Sequence, residues 1–264
     1  MARIAVITPI SHLEGLIDLL ETKGDVFLYE EANKEEVREL LLQYNIDTIL
    51  CNPNQQTYVI DEELLEGTNI KIINTCSTGM NHIDISYCKN AGIKILSLTN
   101  DMELIRKLPS TSELAFGLML SLIRKIPQSI THVSNYGWDY TQFIGRQIKD
   151  LNIGIVGYGR LGKMMHKFCS AFNANIMIYD PYEEIPFAQC EARTLQELCK
   201  FSDVLTLHVH VTDETRYMIN KELLGYMKEN SYIVNTSRGE IVDEQAIVSA
   251  LRAGKIAGYA TDVI

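Results

Sequence analysis

No apolar run in the chain reaches the roughly 18 residues a membrane span requires. The start, Met1 to Pro9, meets Glu14 and Asp18 too early to read as a secretory signal. The cysteines (Cys51, Cys76, Cys88, Cys169, Cys190 and Cys199) contain no CxxC pair and no tight framework. That excludes a disulfide scaffold and predicts reduced, mostly buried thiols. Cys76, His82 and Cys88 lie farther apart than zinc-knuckle ligands, so no metal is expected. Internal repeats of about 20–50 residues are absent, which excludes solenoids and propellers. Positive charge is scarce at the front: residues 1–104 hold 7 Lys/Arg against 17 Asp/Glu, while 105–264 hold 17 of each. The whole net charge of −10 therefore sits on the first part. Such a front repels phosphate backbones and argues against a nucleic-acid partner. With 16 Gly and 6 Pro in 264 residues, collagen-like and disordered chains are excluded as well. What remains is a soluble, cytoplasmic globular protein of two unequal parts.

Both parts alternate strand-like and helix-like stretches. Strands are predicted at Ile4–Thr8, Val26–Tyr29, Thr48–Cys51, Ile70–Asn74 and Lys94–Leu98, with helices at Leu13–Leu20, Lys34–Tyr44 and Ile83–Ala91. A second series follows, with strands at Ile153–Val156, Ile176–Tyr179, Val204–His208, Tyr232–Asn235 and Gly258–Asp262. Such alternation with short connections predicts open parallel sheets covered on both faces. Between the series, Ser110 and Glu113 have the spacing of a capping box. The stretch Leu114 to Ile126 is apolar on nearly every side, which suits a helix between domains or between subunits, or else a core helix of one domain.

The chemistry lies in the loops after the strands. Gly157-Tyr158-Gly159-Arg160-Leu161-Gly162 follows an apolar strand and opens a helix. Gly157 suits the tight turn, Gly159 the close approach of backbone to a pyrophosphate, and Gly162 the packing of helix on strand. The N–H groups at the helix start, those of Arg160 and Leu161 included, would face the phosphates. Asp180 ends the next strand, with 17 residues between it and Gly162, where a dinucleotide-binding unit places the carboxylate that accepts from the adenosine ribose hydroxyls. Its charge repels a 2′-phosphate and Pro181-Tyr182 supplies no arginine, so NAD is expected over NADP.

Two later segments narrow the class: Leu207-His208-Val209-His210-Val211-Thr212, and Asn235-Thr236-Ser237-Arg238-Gly239-Glu240 running on to Asp243. With Gly258 to Val263 behind them, they resemble the D-isomer-specific 2-hydroxyacid dehydrogenase family. In the first part, Ser77-Thr78-Gly79-Met80-Asn81-His82-Ile83-Asp84 resembles the substrate-domain turn of that family. The resemblance implies an incomplete flavodoxin-like α/β substrate domain, residues 1–104, and a doubly wound Rossmann domain, residues 105–264. It implies NAD-linked interconversion of a 2-oxo acid and a D-2-hydroxy acid by a homodimer. Arg238 would grip the oxo acid and polarise its carbonyl, and backbone amides at Ser77, Thr78 and Gly79 would hold its carboxylate. Val209, Thr236 and Asp262 match positions on the nicotinamide side. His208 and His210 alternate along a strand, and the resemblance gives them a cofactor-side or structural role rather than a metal.

The chain departs from the family pattern after Asp262-Val263-Ile264, where a glutamate and then a histidine proton donor would follow. It is therefore expected to be a fragment lacking the return segment of the substrate domain and the last Rossmann strands, with impaired catalysis. The loop Asn54-Gln55-Gln56 offers neutral donors only, which favours a small mono-anionic oxo acid. A non-catalytic NAD-binding sensor or scaffold is the alternative from a different class.

Overall fold

The structure is a computed structural model that describes residues 1–53, 58–187 and 190–263. The loop Asn54-Gln55-Gln56 lies outside them. The chain divides into two compact units, Met1–Lys107 and Leu108–Ile264.

The first unit runs β1 (Ala2–Val6), α1 (Leu16–Glu21), β2 (Gly24–Leu28), α2 (Lys34–Gln43), β3 (Thr48–Cys51), α3 (Glu62–Leu65), β4 (Ile72–Thr75), α4 (Ile85–Asn90), β5 (Lys94–Ser97) and α5 (Met102–Arg106). All strand pairs are parallel, in the order β2-β1-β3-β4-β5. This is the flavodoxin-like order, with its switch point between β1 and β3. Local chemistry sets the helix starts. Asn33 and Glu36 form a reciprocal capping box on α2, and the Asp84 carboxylate accepts from Tyr87 N at 2.9 Å to cap α4. The α2 stripe Val37, Leu40 and Leu41 packs with Ile49 and Ile73 into one core, while Ile4, Val6 and Ile10 fill the other sheet face.

The second unit runs α6 (Ser110–Ile123), α7 (Ile126–Ser134), β6 (Asn152–Val156), α8 (Arg160–Ala171), β7 (Asn175–Tyr179), α9 (Leu195–Phe201), β8 (Val204–Leu207), α10 (Lys221–Tyr226), β9 (Ser231–Asn235), α11 (Glu244–Arg252) and β10 (Ile256–Thr261). Its parallel strands lie in the order β10-β9-β8-β6-β7. A further parallel bridge, Ile178 to Glu191, sits outside β7 and marks one more strand position. With it the unit has the Rossmann order, reversing between β6 and β8. Strand β8 is buried at every residue, as a central parallel strand covered on both faces must be.

Two local expectations are corrected. Ser110 is not a cap: Pro109 already has helical angles, φ −90° and ψ −9°, so Ser110 lies inside α6 and no side chain caps it. The apolar helix also stops before Ile126. Proline is excluded from a helix interior, so α6 closes at Ile123, Lys125 takes a left-handed φ of 52°, and Pro127 enters the first turn of α7. Within α6, Ser112, Ala115, Met119 and Ile123 form the buried stripe, while Leu114 is exposed.

The other sheet edge is pinned by Asp203. Its carboxylate accepts from Asn152 N at 2.8 Å, Arg146 Nη1 at 3.0 Å and Lys228 Nζ at 3.4 Å. Burial alone would raise its pKa, but the Asn152 amide and the Arg146 and Lys228 charges outweigh it and hold the carboxyl below its ordinary value. A carboxylate depressed in the folded state stabilises above its unfolded pKa, and that contribution is lost as pH falls through the folded one. Asp203→Asn is expected to cost about 1–3 kcal/mol at pH 7, discounted because Arg146 is half exposed. In urea unfolding the gap from the parent should close as pH drops below about 4. A gap that persists there would show that the charge is not what pins the edge.

Candidate active site

The strand register brings the predicted cofactor residues of the second unit to one edge. Val156 pairs with Tyr179 and with Leu207, Leu207 with Asn235, and Asn235 with Thr261. Gly157, Asp180, Thr236 and Asp262 each follow directly on one of these aligned strand ends, and Val209 lies two residues past Leu207. This carboxyl edge is where open α/β sheets bind ligands.

The glycine turn has the shape the sequence demands. Gly157 has φ 90°, and a Cβ there would lie 2.6 Å from the His208 carbonyl oxygen. A Cβ on Gly162 would lie 2.0 Å from the Gly157 oxygen, so α8 is seated directly on the turn. Gly159 differs: apart from its chain neighbours, nothing among the described residues lies within 4 Å of where its Cβ would be. It is the N-cap of α8 and no side chain caps that end. The first amides of the helix, at Arg160, Leu161 and Gly162, follow directly on this position, a helix start suited to a pyrophosphate.

Asp180 holds more than sequence reasoning assigns to it. Its Oδ2 accepts from Tyr158 N at 2.6 Å, and its Oδ1 accepts from Tyr182 N at 2.9 Å and Glu183 N at 3.0 Å. The carboxylate therefore staples the glycine turn to the loop after β7. A carboxylate has about four lone-pair sites, so Oδ2 keeps room for a ribose hydroxyl. The Tyr182 hydroxyl donates to Glu214, tying that loop to the one after β8.

Two buried polar atoms at the same edge, His208 Nδ1 and Thr236 Oγ1, have no hydrogen-bond partner among the described residues. Buried groups of this kind are normally satisfied, so an incoming polar ligand is the natural complement. Burial lowers the pKa of His208 to about 4, which keeps the imidazole neutral, and its Nε2 lies 2.9 Å from Thr206 Oγ1. Val209 packs beside the Gly157 turn and Asp262 is exposed at the strand end.

Arg238 sits three residues past β9, half-buried and in extended conformation. Asn235, a residue that sequence reasoning missed, shapes its turn. Asn235 Oδ1 accepts from Ser237 N at 3.0 Å, while Nδ2 donates to Arg238 O at 2.8 Å and to the Tyr259 hydroxyl at 3.3 Å. Ser237 Oγ donates to Leu207 O at 2.7 Å and anchors the turn to β8. One guanidinium nitrogen, Nη1, donates to Ser237 O at 2.7 Å. A polar residue closing the buried run of β9 was the signal that could have found Asn235.

In the first unit, Ser77, Thr78 and Gly79 form the turn after β4. Cys76 N donates to Cys51 O at 3.0 Å, and Leu98 N donates to Ser77 O at 3.1 Å. Beneath the turn, Thr75 and His82 are buried. The Cys51 thiol beside them is pushed up to about 12 by burial and stays protonated. Among the described residues no group of three or more His, Cys, Asp or Glu side chains is arranged to hold a metal ion.

A glycine turn under a helix N-terminus, with a carboxylate at the next strand end, defines a dinucleotide-binding unit of the Rossmann type. Comparison with known proteins names the family. Residues 116–264 match the model of the D-isomer specific 2-hydroxyacid dehydrogenase NAD binding domain, and residues 4–103 that of the catalytic domain. The chain belongs to this family, and its second unit is an NAD-binding one. It is 33% identical over 269 residues to D-3-phosphoglycerate dehydrogenase of Methanocaldococcus jannaschii, covering 100% of this chain and 49% of the relative. It is 34% identical over 259 residues to glyoxylate reductase of Thermofilum pendens, covering 94% and 74%. Among solved structures, D-lactate dehydrogenase from Aquifex aeolicus, complexed with NAD and lactic acid, superposes with a TM-score of 0.80 at 27% identity, over 99% of this chain and 77% of that one. The chain spans about half the length of the phosphoglycerate dehydrogenases it matches.

Proposed function

We propose that the enzyme to which these two units belong binds NADH and reduces a small mono-anionic 2-oxo acid to its D-2-hydroxy acid, the proton coming from an acid that is not among the site residues described above. The observation that carries this reading is the row of strand ends that sets Arg238 on the edge already holding Gly157, Asp180 and Thr236. When bound, the nicotinamide supplies the hydride. The α8 amides of Arg160, Leu161 and Gly162 take the pyrophosphate, and Asp180 takes the ribose hydroxyls while its charge rejects a 2′-phosphate. Val209, Thr236 and Asp262 line the nicotinamide end. In the second unit, Arg238 is suited to drawing charge onto an oxo-acid carbonyl oxygen; in the first, the amides of Ser77, Thr78 and Gly79 are donors suited to a carboxylate. Relatives named glyoxylate reductase and hydroxypyruvate reductase support an oxo-acid substrate.

Asp180→Ala tests the cofactor assignment. It removes the ribose acceptor and frees the Tyr158 amide, so NADH titrated by fluorescence should bind roughly 10- to 100-fold more weakly. Unchanged affinity would sink the assignment. Preference of the parent for NADPH over NADH would do the same.

We also read the chain as a cytoplasmic homodimer. The six cysteines are free thiols, as a reducing compartment maintains. No described helix is long and apolar enough to cross a membrane. Ile130 and Val133 of α7 are exposed, and Tyr136 and Trp138 beyond it are 99% and 93% exposed. An apolar face of this kind suits a second copy. Ile130→Asp combined with Trp138→Ala should turn a sedimenting dimer into a monomer; a parent that already sediments as a monomer removes the assignment.

A further inference from the structure

We propose that His82 is a positioning residue for the Ser77–Gly79 turn, acting through a one-way chain of hydroxyl groups. The inference deepens the reading above and rests on its assignment of the substrate carboxylate to that turn.

The direction of the chain follows from its last link. Ser77 Oγ lies 2.7 Å from Gly79 O, and a carbonyl can only accept, so the Ser77 hydroxyl proton is committed there. Thr75 Oγ1 lies 2.7 Å from Ser77 Oγ, so Thr75 must be the donor of that pair. Its own proton thus committed, Thr75 can only accept from His82 Nε2, at 3.0 Å. His82 therefore carries its proton on Nε2, and protons point from His82 through Thr75 and Ser77 to the Gly79 carbonyl. The Cys51 sulfur, 3.6 Å from His82 Nε2, closes the side of the chain.

Both ends of this chain are fixed. The His82 carbonyl accepts from Ile60 N at 2.9 Å, and Asp84 N donates to Ile60 O at 2.9 Å. His82 and Thr75 are buried, so the first link of the chain is shielded from competing water. At the far end, the Gly79 carbonyl is held back toward Ser77, which leaves the turn's N–H groups as the donors offered outward. The Ser77 hydroxyl proton is already used, so the carboxylate is left to the backbone amides, and their alignment depends on the chain. A turn ordered before the ligand arrives avoids an entropic cost on binding.

The test uses oxamate, a carboxylate-bearing analogue of a small 2-oxo acid, and its neutral ester ethyl oxamate, each titrated calorimetrically into the NADH-loaded protein. The parent should prefer oxamate. Thr75→Val and Ser77→Ala should each weaken oxamate roughly tenfold, leaving NADH and ethyl oxamate unchanged. Thr75→Ser, which keeps the hydroxyl, should bind like the parent. The Thr75→Val/Ser77→Ala pair should be no worse than either single variant, because one chain is broken only once. His82→Leu should match Thr75→Val. A role confined to stability would move the melting temperature but not the preference for oxamate over the ester. Oxamate affinity unchanged in Thr75→Val and Ser77→Ala overturns the chain while leaving the substrate reading intact. An effect in those two without one in His82→Leu removes His82 as the anchor. A parent that binds oxamate no better than its ester overturns the carboxylate assignment, and the positioning role with it. If Thr75→Val does not fold, the partly exposed Ser77→Ala decides alone.

Discussion

Alanine at Gly159 is expected to leave thermal unfolding unchanged and to weaken NADH binding on the order of 100-fold, while alanine at Gly162 is expected to lower the melting temperature as well. The contrast follows from geometry. Gly159 has φ −67° and ψ −162°, angles open to any residue, and its added methyl would meet none of the described residues other than its chain neighbours. The methyl would instead fill the space above the first amides of α8. A phosphate pushed outward loses one or two charge-assisted hydrogen bonds of about 1.5–3 kcal/mol each. At Gly162 the new Cβ meets the Gly157 carbonyl oxygen at 2.0 Å and its carbon at 3.0 Å. Those are backbone atoms and cannot swing aside, so the helix must lift off the strand. Overpacking of this kind costs about 1–3 kcal/mol or more and should lower the melting temperature by roughly 4–10 °C. Paired melting curves and NADH titrations of the two variants check both halves. Equal destabilisation by Gly159→Ala and Gly162→Ala, or full NADH affinity in Gly159→Ala, would place the pyrophosphate somewhere other than the start of α8.

The same contrast explains what could be read from the residues alone. Gly157 and Gly162 were legible because a positive φ and a backbone approach of 2.0 Å leave only one residue type that fits. Asp180 was legible because a carboxylate at a strand end, at fixed distance from a glycine turn, has few other uses. Strand and helix alternation announced parallel sheets in both units. The strand position at Glu191 escaped notice because a single bridge leaves no run of alternating residues to see. Asn235 and the His82 chain were hidden for a different reason. Their partners are distant in sequence, as with Asn235 and Tyr259, or belong to a neighbouring loop, as with Thr75 and His82. Nothing in local periodicity reports a hydrogen bond that only tertiary packing creates. Ser110 misled because the backbone angles of Pro109, and not the spacing of Ser110 and Glu113, decide where α6 begins.

Arg238→Gln should lower turnover of a 2-oxo acid by about 10²–10³ at saturating NADH, in the protein as its gene encodes it. The side chain has five N–H donors. Nη1 is engaged with Ser237 O, and the turn beneath is held from Asn235 and from β8. The guanidinium is thus presented in a fixed orientation without a carboxylate partner within salt-bridge distance among the described residues. On the proposed assignment, its charge acts on the oxygen that acquires negative charge as the carbonyl is reduced. Glutamine keeps a donor of similar reach but no charge, so the loss should fall on kcat as well as on KM. A rise in KM alone would mean that Arg238 grips the ground state and the transition state equally. Arg238→Lys restores the charge as a point without the planar fork, and should recover only part of the rate. NADH affinity should be the same in all three proteins, since Arg238 is assigned to the substrate and not to the cofactor. If Arg238→Gln turns over like the parent, the polarising group lies elsewhere. If it loses NADH affinity instead, Arg238 belongs with Asp180 and Thr236 on the cofactor side, and carbonyl activation needs another cation.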